Sequence, residues 1–339
     1  MGQEIAVDCF DRLPDEIVLS IFKKLQDAKS LCMSMAVCKR FRSIAPQVDE
    51  ISLSIPKKKA AAAAEFRNPV VRVLMKPFNF ISQLVKSRSK SSDENDLDFY
   101  SYYLHNEILK SFGEVRGLRL RLPCHGNRNF KSGKNGKPPK TFLKWKAEFG
   151  RDLHSCVILG AKSFSDKSDR SPESDPEARV SMPDEDLKLR IVWTISCLIA
   201  ATARHYLIQE TVKRQGTIQN VVVSDETNQG RLLMNSAQIE ELRVSKGKGR
   251  QEEVPEPRSR VPALRMKMWF MDSLEVGDSG RVMEGATLVV IKPAAAAAAP
   301  VGGGDVLGFG DDDEGKMLEE AARKLMVAKK CYTLEMNSF

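Results

Sequence analysis

Apolar positions in the first fifty residues fall at helical rather than strand spacing. Ile17, Val18, Ile21, Phe22 and Leu25 make a stripe over two turns. Pro14 suits a first helical position, where its missing N–H is not needed, and Asp15 and Glu16 set negative charge against the positive end of the helix dipole. Asp27 is placed to cap a second helix, in which Leu31, Met35, Cys38, Phe41 and Ile44 carry the 3.6-residue period to Ala45, before Pro46 stops it. So short a module buries too little apolar area to be stable alone, and a partner surface is expected.

Beyond residue 50 the pattern changes. Short β-like runs at residues 115–122, 155–159, 218–223, 239–244, 264–270 and 287–291 alternate with helical segments at 97–112, 142–149 and 186–213. That alternation favours strands in parallel with helices outside them. The last four runs begin at 218, 239, 264 and 287, intervals within the roughly 20–29 residues of a leucine-rich repeat. No Asn or Cys closes each strand, however, so a non-repeat α/β domain stands beside the repeat reading. A final helix over 316–330 shows Met317, Leu318, Ala321, Leu325 and Met326 on one face and is expected to dock on the domain. Low-complexity or charged stretches at 57–64, 86–96, 124–140, 163–184, 245–260 and 293–315 offer little burial against the entropy of ordering them and read as disordered insertions. The fold class is thus α+β: an all-helical N-terminal module, then an irregular leucine-rich-repeat-like α/β region.

Composition sets further limits. The 339 residues carry 42% hydrophobic side chains, enough for a real core, and a net charge of +8. Seven scattered cysteines without CxxC spacing, and no cleavable apolar leader, suggest a reducing compartment, nucleus or cytoplasm. The apolar stretch 191–203 lies between Arg190 and Arg204 and is shorter than the roughly 20 residues of a membrane span, so it reads as a buried helix and no membrane partner is expected.

The run FDRLPDEIVLSIFKKLQDAKSLCMSMAVCKRFRSIAPQV resembles an F-box. The family pattern of a Leu-Pro pair, an acidic residue, Ile, an Ile-Phe pair and Leu, then Ser-Leu and Val-Cys-Lys-Arg, is met by Leu13, Pro14, Glu16, Ile17, Ile21, Phe22, Leu25, Ser30, Leu31 and Val37 to Arg40. Phe41 departs from the Trp that many members carry, keeping an aromatic anchor without the indole donor. Three further runs, FLKWKAEFG, LRIVWTISCLIAATARHYL and EGATLVVIKP, are similar to those of a plant group that includes the auxin up-regulated F-box proteins.

The resemblance implies a non-catalytic substrate receptor of a Skp–cullin–F-box ubiquitin ligase, in a setting of plant hormone response. It would bind a Skp-type adaptor and, through it, cullin and RING subunits, with an unidentified protein as substrate and no cofactor or metal. Leu13, Pro14, Ile17, Ile21, Phe22, Leu25, Leu31, Val37 and Phe41 would build the module or its adaptor-facing surface. The expected division is residues 8–50 for the F-box, 51–68 as linker, 69–292 for the substrate-recruiting region, 293–315 as a second linker and 316–339 as helix and tail.

Other motifs carry less. Gly277, Asp278, Ser279 and Gly280 spell a protease-like GDSG, but Arg281 and Val282 follow, no Ala-Ala-His-Cys run precedes them, and His205 lies in an apparent helix; a surface turn is expected. His105, His125, His154 and His205 show no metal-ligand spacing. Ten cations, Arg116, Arg119, Arg121, Arg128, Lys131, Lys134, Lys137, Lys140, Lys144 and Lys146, occur with no acid between Glu114 and Glu148. A solvated basic loop is the plain reading; Lys131, Lys134 and Lys137 could receive an acidic or phosphorylated substrate. Phosphate binding would make the chain a basic nucleic-acid-binding or scaffold protein, but aromatic interleaving is thin and nucleic acid is not the expected partner.

Overall fold

The computed structural model describes residues 9–55, 108–123, 141–166, 183–244, 263–277, 280–295, 308–310 and 312–336. Helices α1 (Asp15–Leu25), α2 (Ala28–Val37) and α3 (Lys39–Ile44) come first. Asp27 caps α2 by accepting from the Ser30 amide at 2.9 Å and its hydroxyl at 2.6 Å. The apolar period that runs from Asp27 to Ala45 is divided between two helices at Cys38, whose extended backbone ends α2 and whose Sγ caps α3 at the Phe41 amide, so the module has three short helices. Gln26 closes α1 with φ 50°, the left-handed turn that lets α2 fold back.

Strand β1 (Glu50–Ser54) follows at once and lies parallel to β2 (Gly117–Leu122). The remaining strands are β3 (Phe142–Phe149), β4 (Leu153–Ala161), β5 (Ser163–Asp166), β6 (Asn220–Asp225), β7 (Gly230–Met234), β8 (Leu264–Val276), β9 (Arg281–Pro293) and β10 (Cys331–Met336). They form one sheet in the order β1-β2-β6-β7-β3-β4-β9-β8-β10, with β5 beside β9. Among the described residues only β1–β2, β2–β6 and β3–β7 are parallel pairs of strands. This decides between the two architectures left open: strands from distant parts of the chain interleave, whereas a solenoid stacks each repeat on its neighbour. The α+β class stands, with a mixed sheet in place of leucine-rich repeats.

Two elements are of the opposite type to that expected. Residues 142–149 form β3, because Leu143, Trp145, Ala147 and Phe149 alternate, as a strand requires. Residues 239–244 belong to helix α5 (Ser236–Val244), begun by a reciprocal cap: the Gln238 amide donates to Asn235 Oδ1 at 3.0 Å and the Asn235 amide to Gln238 Oε1 at 2.9 Å. The expected first linker opens as β1, and the stretch from 163 opens as β5. The insertions at 57–64, 86–96, 124–140 and 245–260, most of 163–184 and 293–315, and residues 97–107 of the expected helix lie outside the described residues. Of GDSG, Gly277 and Gly280 lie next to the ends of β8 and β9 with positive φ, and Asp278 and Ser279 lie outside the described residues.

The sheet separates two apolar layers. On one face Cys156, Ile158, Val289 and Ile291 pack with Cys197, Leu198, Ala201 and Ile208 of helix α4 (Asp184–Arg214), in a layer continuous with the N-terminal helices. On the other, Val157, Leu159, Leu288 and Val290 meet Leu318, Ala321 and Leu325 of helix α6 (Asp313–Met326). Helix α6 therefore docks as its apolar face predicts.

Helix α4 has the length and hydropathy of a membrane span; a third of its most apolar window is buried inside the fold, so the expected buried helix is buried along one face only, which polar side chains anchor. Fully buried Arg190 donates to Thr287 Oγ1 at 2.8 Å and to the carbonyls of Asp186 (2.7 Å) and Gly285 (3.2 Å), over the Phe270 ring. Arg204 pairs with Asp225 at 2.6 Å and lies on Trp145. Burial pushes the Asp225 carboxyl up, but Thr227, the Gln229 amide and Arg204 together hold it below its ordinary value. Trp145 can lie there only because residue 230 is glycine: a Cβ at Gly230 would come within 2.2 Å of the ring.

His205 is fully buried, stacked on Phe149 with centroids 4.4 Å apart. Its Nε2 donates to the Gly150 carbonyl at 2.9 Å, and its Nδ1 accepts from Gln209 at 3.2 Å, so the neutral ring satisfies both contacts. Burial lowers its pKa to about 4. The unfolded chain, at about 6.5, binds the proton first. The contribution of His205 is thus whole above that value and is lost as pH falls through 6.5 toward 4, to a total of about 3 kcal/mol. Thermal melts of the wild type should drop across this window, and His205→Gln should flatten the drop; an equally steep fall in the variant would rule His205 out as its source.

Candidate functional site

The N-terminal helices bury one side and leave an apolar surface on the other. In α1, Val18 and Phe22 enter the core, while Ile17, Ile21 and Leu25, each four residues on from the last, face outward. In α2, Ala28 and Leu31 are buried and Met33 and Val37 face outward. With Phe10, these side chains are between 40% and 71% exposed. A soluble surface scatters single apolar residues, but a run at helical spacing on two consecutive helices marks a contact surface.

Phe41 is the pivot beneath that surface. Its ring meets Phe10 edge-on at 5.6 Å and Phe22 at 5.3 Å, so the aromatic in place of the more common Trp still anchors the module. Arg40, beside it, ties down the segment before α1. Its Nε donates to Asp15 at 2.8 Å, its Nη1 to the Phe10 carbonyl at 2.8 Å and its Nη2 to the Leu13 carbonyl. The planar guanidinium thereby fixes the approach to Pro14, which lysine could not do with one ammonium.

Of the nine positions expected from sequence, Pro14, Ile17, Ile21, Leu25 and Val37 are exposed, Leu13 and Phe41 half-buried, and Phe22 and Leu31 interior. Phe22 and Leu31 are therefore core residues of the module and are not available on its surface, because the helical turn that exposes Ile21 and Leu25 points Phe22 inward. Phe10 and Met33 are exposed apolar residues outside those nine positions, and Arg40, matched only as part of the Val-Cys-Lys-Arg stretch, proves to be a clamp. Met33 stands four residues before Val37 on the same face, and Arg40 lies in the Val-Cys-Lys-Arg stretch, so both signals were present.

Among the described residues, several cations of the basic stretch are paired within the chain. Arg119 faces Glu50 at 3.5 Å, Lys144 reaches Glu314 of α6 at 2.8 Å, and Lys146 lies 3.7 Å from Glu148 with its side chain buried. Arg119 and Arg121 point away from the core side of β2. Arg128, Lys131, Lys134, Lys137 and Lys140 lie outside the described residues. Among the described residues no three His, Cys, Asp or Glu side chains are grouped to hold a metal ion.

An F-box-like family model matches residues 10–50, the helices that carry the apolar surface. The F-box protein At4g18380 of Arabidopsis thaliana is 36% identical over 98% of this chain and 94% of its own length. The chain belongs to the F-box protein family. Two further Arabidopsis F-box proteins, AUF2 and AUF1, are 35% and 31% identical, each over 98% of this chain and all of their own length. This F-box protein is thus similar to its relatives well past the helical module, through the whole mixed sheet. No solved structure matches it.

Arg40→Met should free the segment from Phe10 to Leu13 and cost about 1–3 kcal/mol, the scale of charged hydrogen bonds lost to one side chain. Amide exchange at the start of α1 should rise, and Arg40→Lys should recover only part of the protection. Unchanged exchange in Arg40→Met would refute the clamp.

Proposed function

We propose that this F-box protein is the substrate-recognition subunit of a Skp–cullin–F-box ubiquitin ligase. The observation that carries the reading is the exposed apolar surface of Ile17, Ile21, Leu25 and Val37, on the helices that the family model matches. Such a surface suits the central anchor of an interface, with exposed Pro14 and half-buried Leu13 just before α1 as further contacts. Met33 and Phe10 extend it. The adaptor brings in cullin and RING subunits, and ubiquitin transfer is the chemistry of those subunits and their enzymes; the F-box protein contributes proximity and needs no cofactor.

The substrate is a protein held by the mixed-sheet region. Arg121 on the outer face of β2, and Lys131, Lys134 and Lys137 in the segment that links β2 to β3, suit an acidic or phosphorylated stretch of that substrate. A role in hormone response fits the likeness to AUF1 and AUF2, and nucleus or cytoplasm fits the scattered cysteines. The nucleic-acid reading is weaker, since Arg119, Lys144 and Lys146 are each met by a carboxylate of the same chain.

Co-purification with a Skp-type adaptor tests the reading. Wild type should form a stoichiometric complex. Ile21→Asp should lose about 2 kcal/mol or more of binding, as a central anchor does, with its melting temperature unchanged. Phe22→Ala should instead unfold the module. A well-folded wild type that binds no Skp-type adaptor would sink the proposal.

A further inference from the structure

Helix α4 buries Arg190, Cys197, His205 and Ile208 on one side and turns the other side to solvent. Along that outer side Val192, Ile195, Ile199, Thr202 and Tyr206 follow alternating steps of three and four residues, the spacing of a seam between two packed helices. Val192, Ile195 and Tyr206 are 36–44% exposed, and Ile199 and Thr202 half-buried. The helix spans 31 residues, about 46 Å, so the seam is a long one.

The charges flanking the seam have a symmetry of their own. Asp184 and Arg214, Glu185 and Lys213, and Lys188 and Glu210 are each equidistant from Ile199, and each pair is opposite in sign. At 100° per residue all six fall within the outer half of the helix. The terminal charges also suit the helix's own dipole, acidic at the start and basic at the end. Lys188 and Glu210 run against that dipole. Glu210 is also met by Arg214 at 2.7 Å within the helix, but the matching sign reversal at Lys188 is what an antiparallel copy would read.

We propose that the outer face of α4 is the two-fold interface of a homodimer, with α4 of a second copy packed antiparallel across it. Val192 then meets Tyr206, Ile199 meets its own equivalent, and the three charge pairs repeat on both sides of the axis, as an isologous contact demands. A parallel pairing would set Asp184 against Asp184 and Arg214 against Arg214. The dimer carries two F-box modules, so it presents two adaptor surfaces.

Sedimentation of the full chain at micromolar concentration tests the proposal, with circular dichroism to confirm the fold of each variant. Wild type should be a dimer and Ile199→Asp a folded monomer. Lys188→Glu, which sets like charge against Glu210 twice, should weaken the dimer roughly tenfold. Adding Glu210→Lys to that variant should restore most of the loss, since every pair is again opposite in sign. A monomeric wild type, a dimer indifferent to Ile199→Asp, or a monomer that binds phospholipid vesicles through this face would each overturn it.

Discussion

The backbone ladder between β1 and β2 is the constraint on which the arrangement of this protein depends. The F-box helices end at Ile44, and six residues later the chain is already a strand of the sheet. The Asp49 carbonyl takes the amides of Arg116 and Gly117 at 2.7 and 2.9 Å, and the Ser52 amide donates back to the Gln26 carbonyl at 2.8 Å. Ile51 and Leu53 then enter the same apolar layer as Val18, Phe22 and Leu31 from the helices and Leu118 and Leu120 from β2. The helical module, too small to be stable by itself, completes its core with strands of the following region. The exposed apolar face of the helices and the sheet consequently share one core, with no free hinge between Ile44 and Ser54.

Across the sheet the same economy holds for α4. A helix this apolar is fixed in one rotation by its polar groups. Across to the sheet and its loops, Arg190 donates to Thr287 and Gly285, Arg204 to Asp225 and Gly230, and His205 to Gly150. Arg243 of α5 locks the far end, donating to the carbonyls of Val212, Gln215 and Ile218. Since these anchors lie on one side, the opposite apolar stripe is left facing outward by necessity.

The F-box was legible because its signals are local: a proline before an acidic turn, an aspartate cap, an apolar stripe. What the stripe could not reveal was which members point inward, since Ile21 and Phe22 are neighbours in sequence and opposites in the fold. In the sheet region, 142–149 was misread because Lys144 and Lys146 break the look of a buried strand; their long apolar stems lie on the α6 side while Glu314 and Glu148 receive the charges. The misread α5 carried a legible signal, Asn235 and Gln238 three residues apart. The strand order was not legible at all, because β2–β6 and β3–β7 pair residues far apart in the chain, and no local spacing encodes that.

That interleaving has a bearing on how the chain is made. On a ribosome the F-box helices and β1 emerge well before β2, which comes only after residue 116, and the strand that covers the other side of β2 waits for residues 220–225. Until then a nascent chain holds β2 with an open edge, the kind of edge that recruits foreign strands. Non-local pairing of this sort also folds slowly. A product that terminates before Asn220 would therefore carry an intact F-box sequence on an unfinished sheet, a form suited to chaperone capture and degradation rather than to work as a receptor.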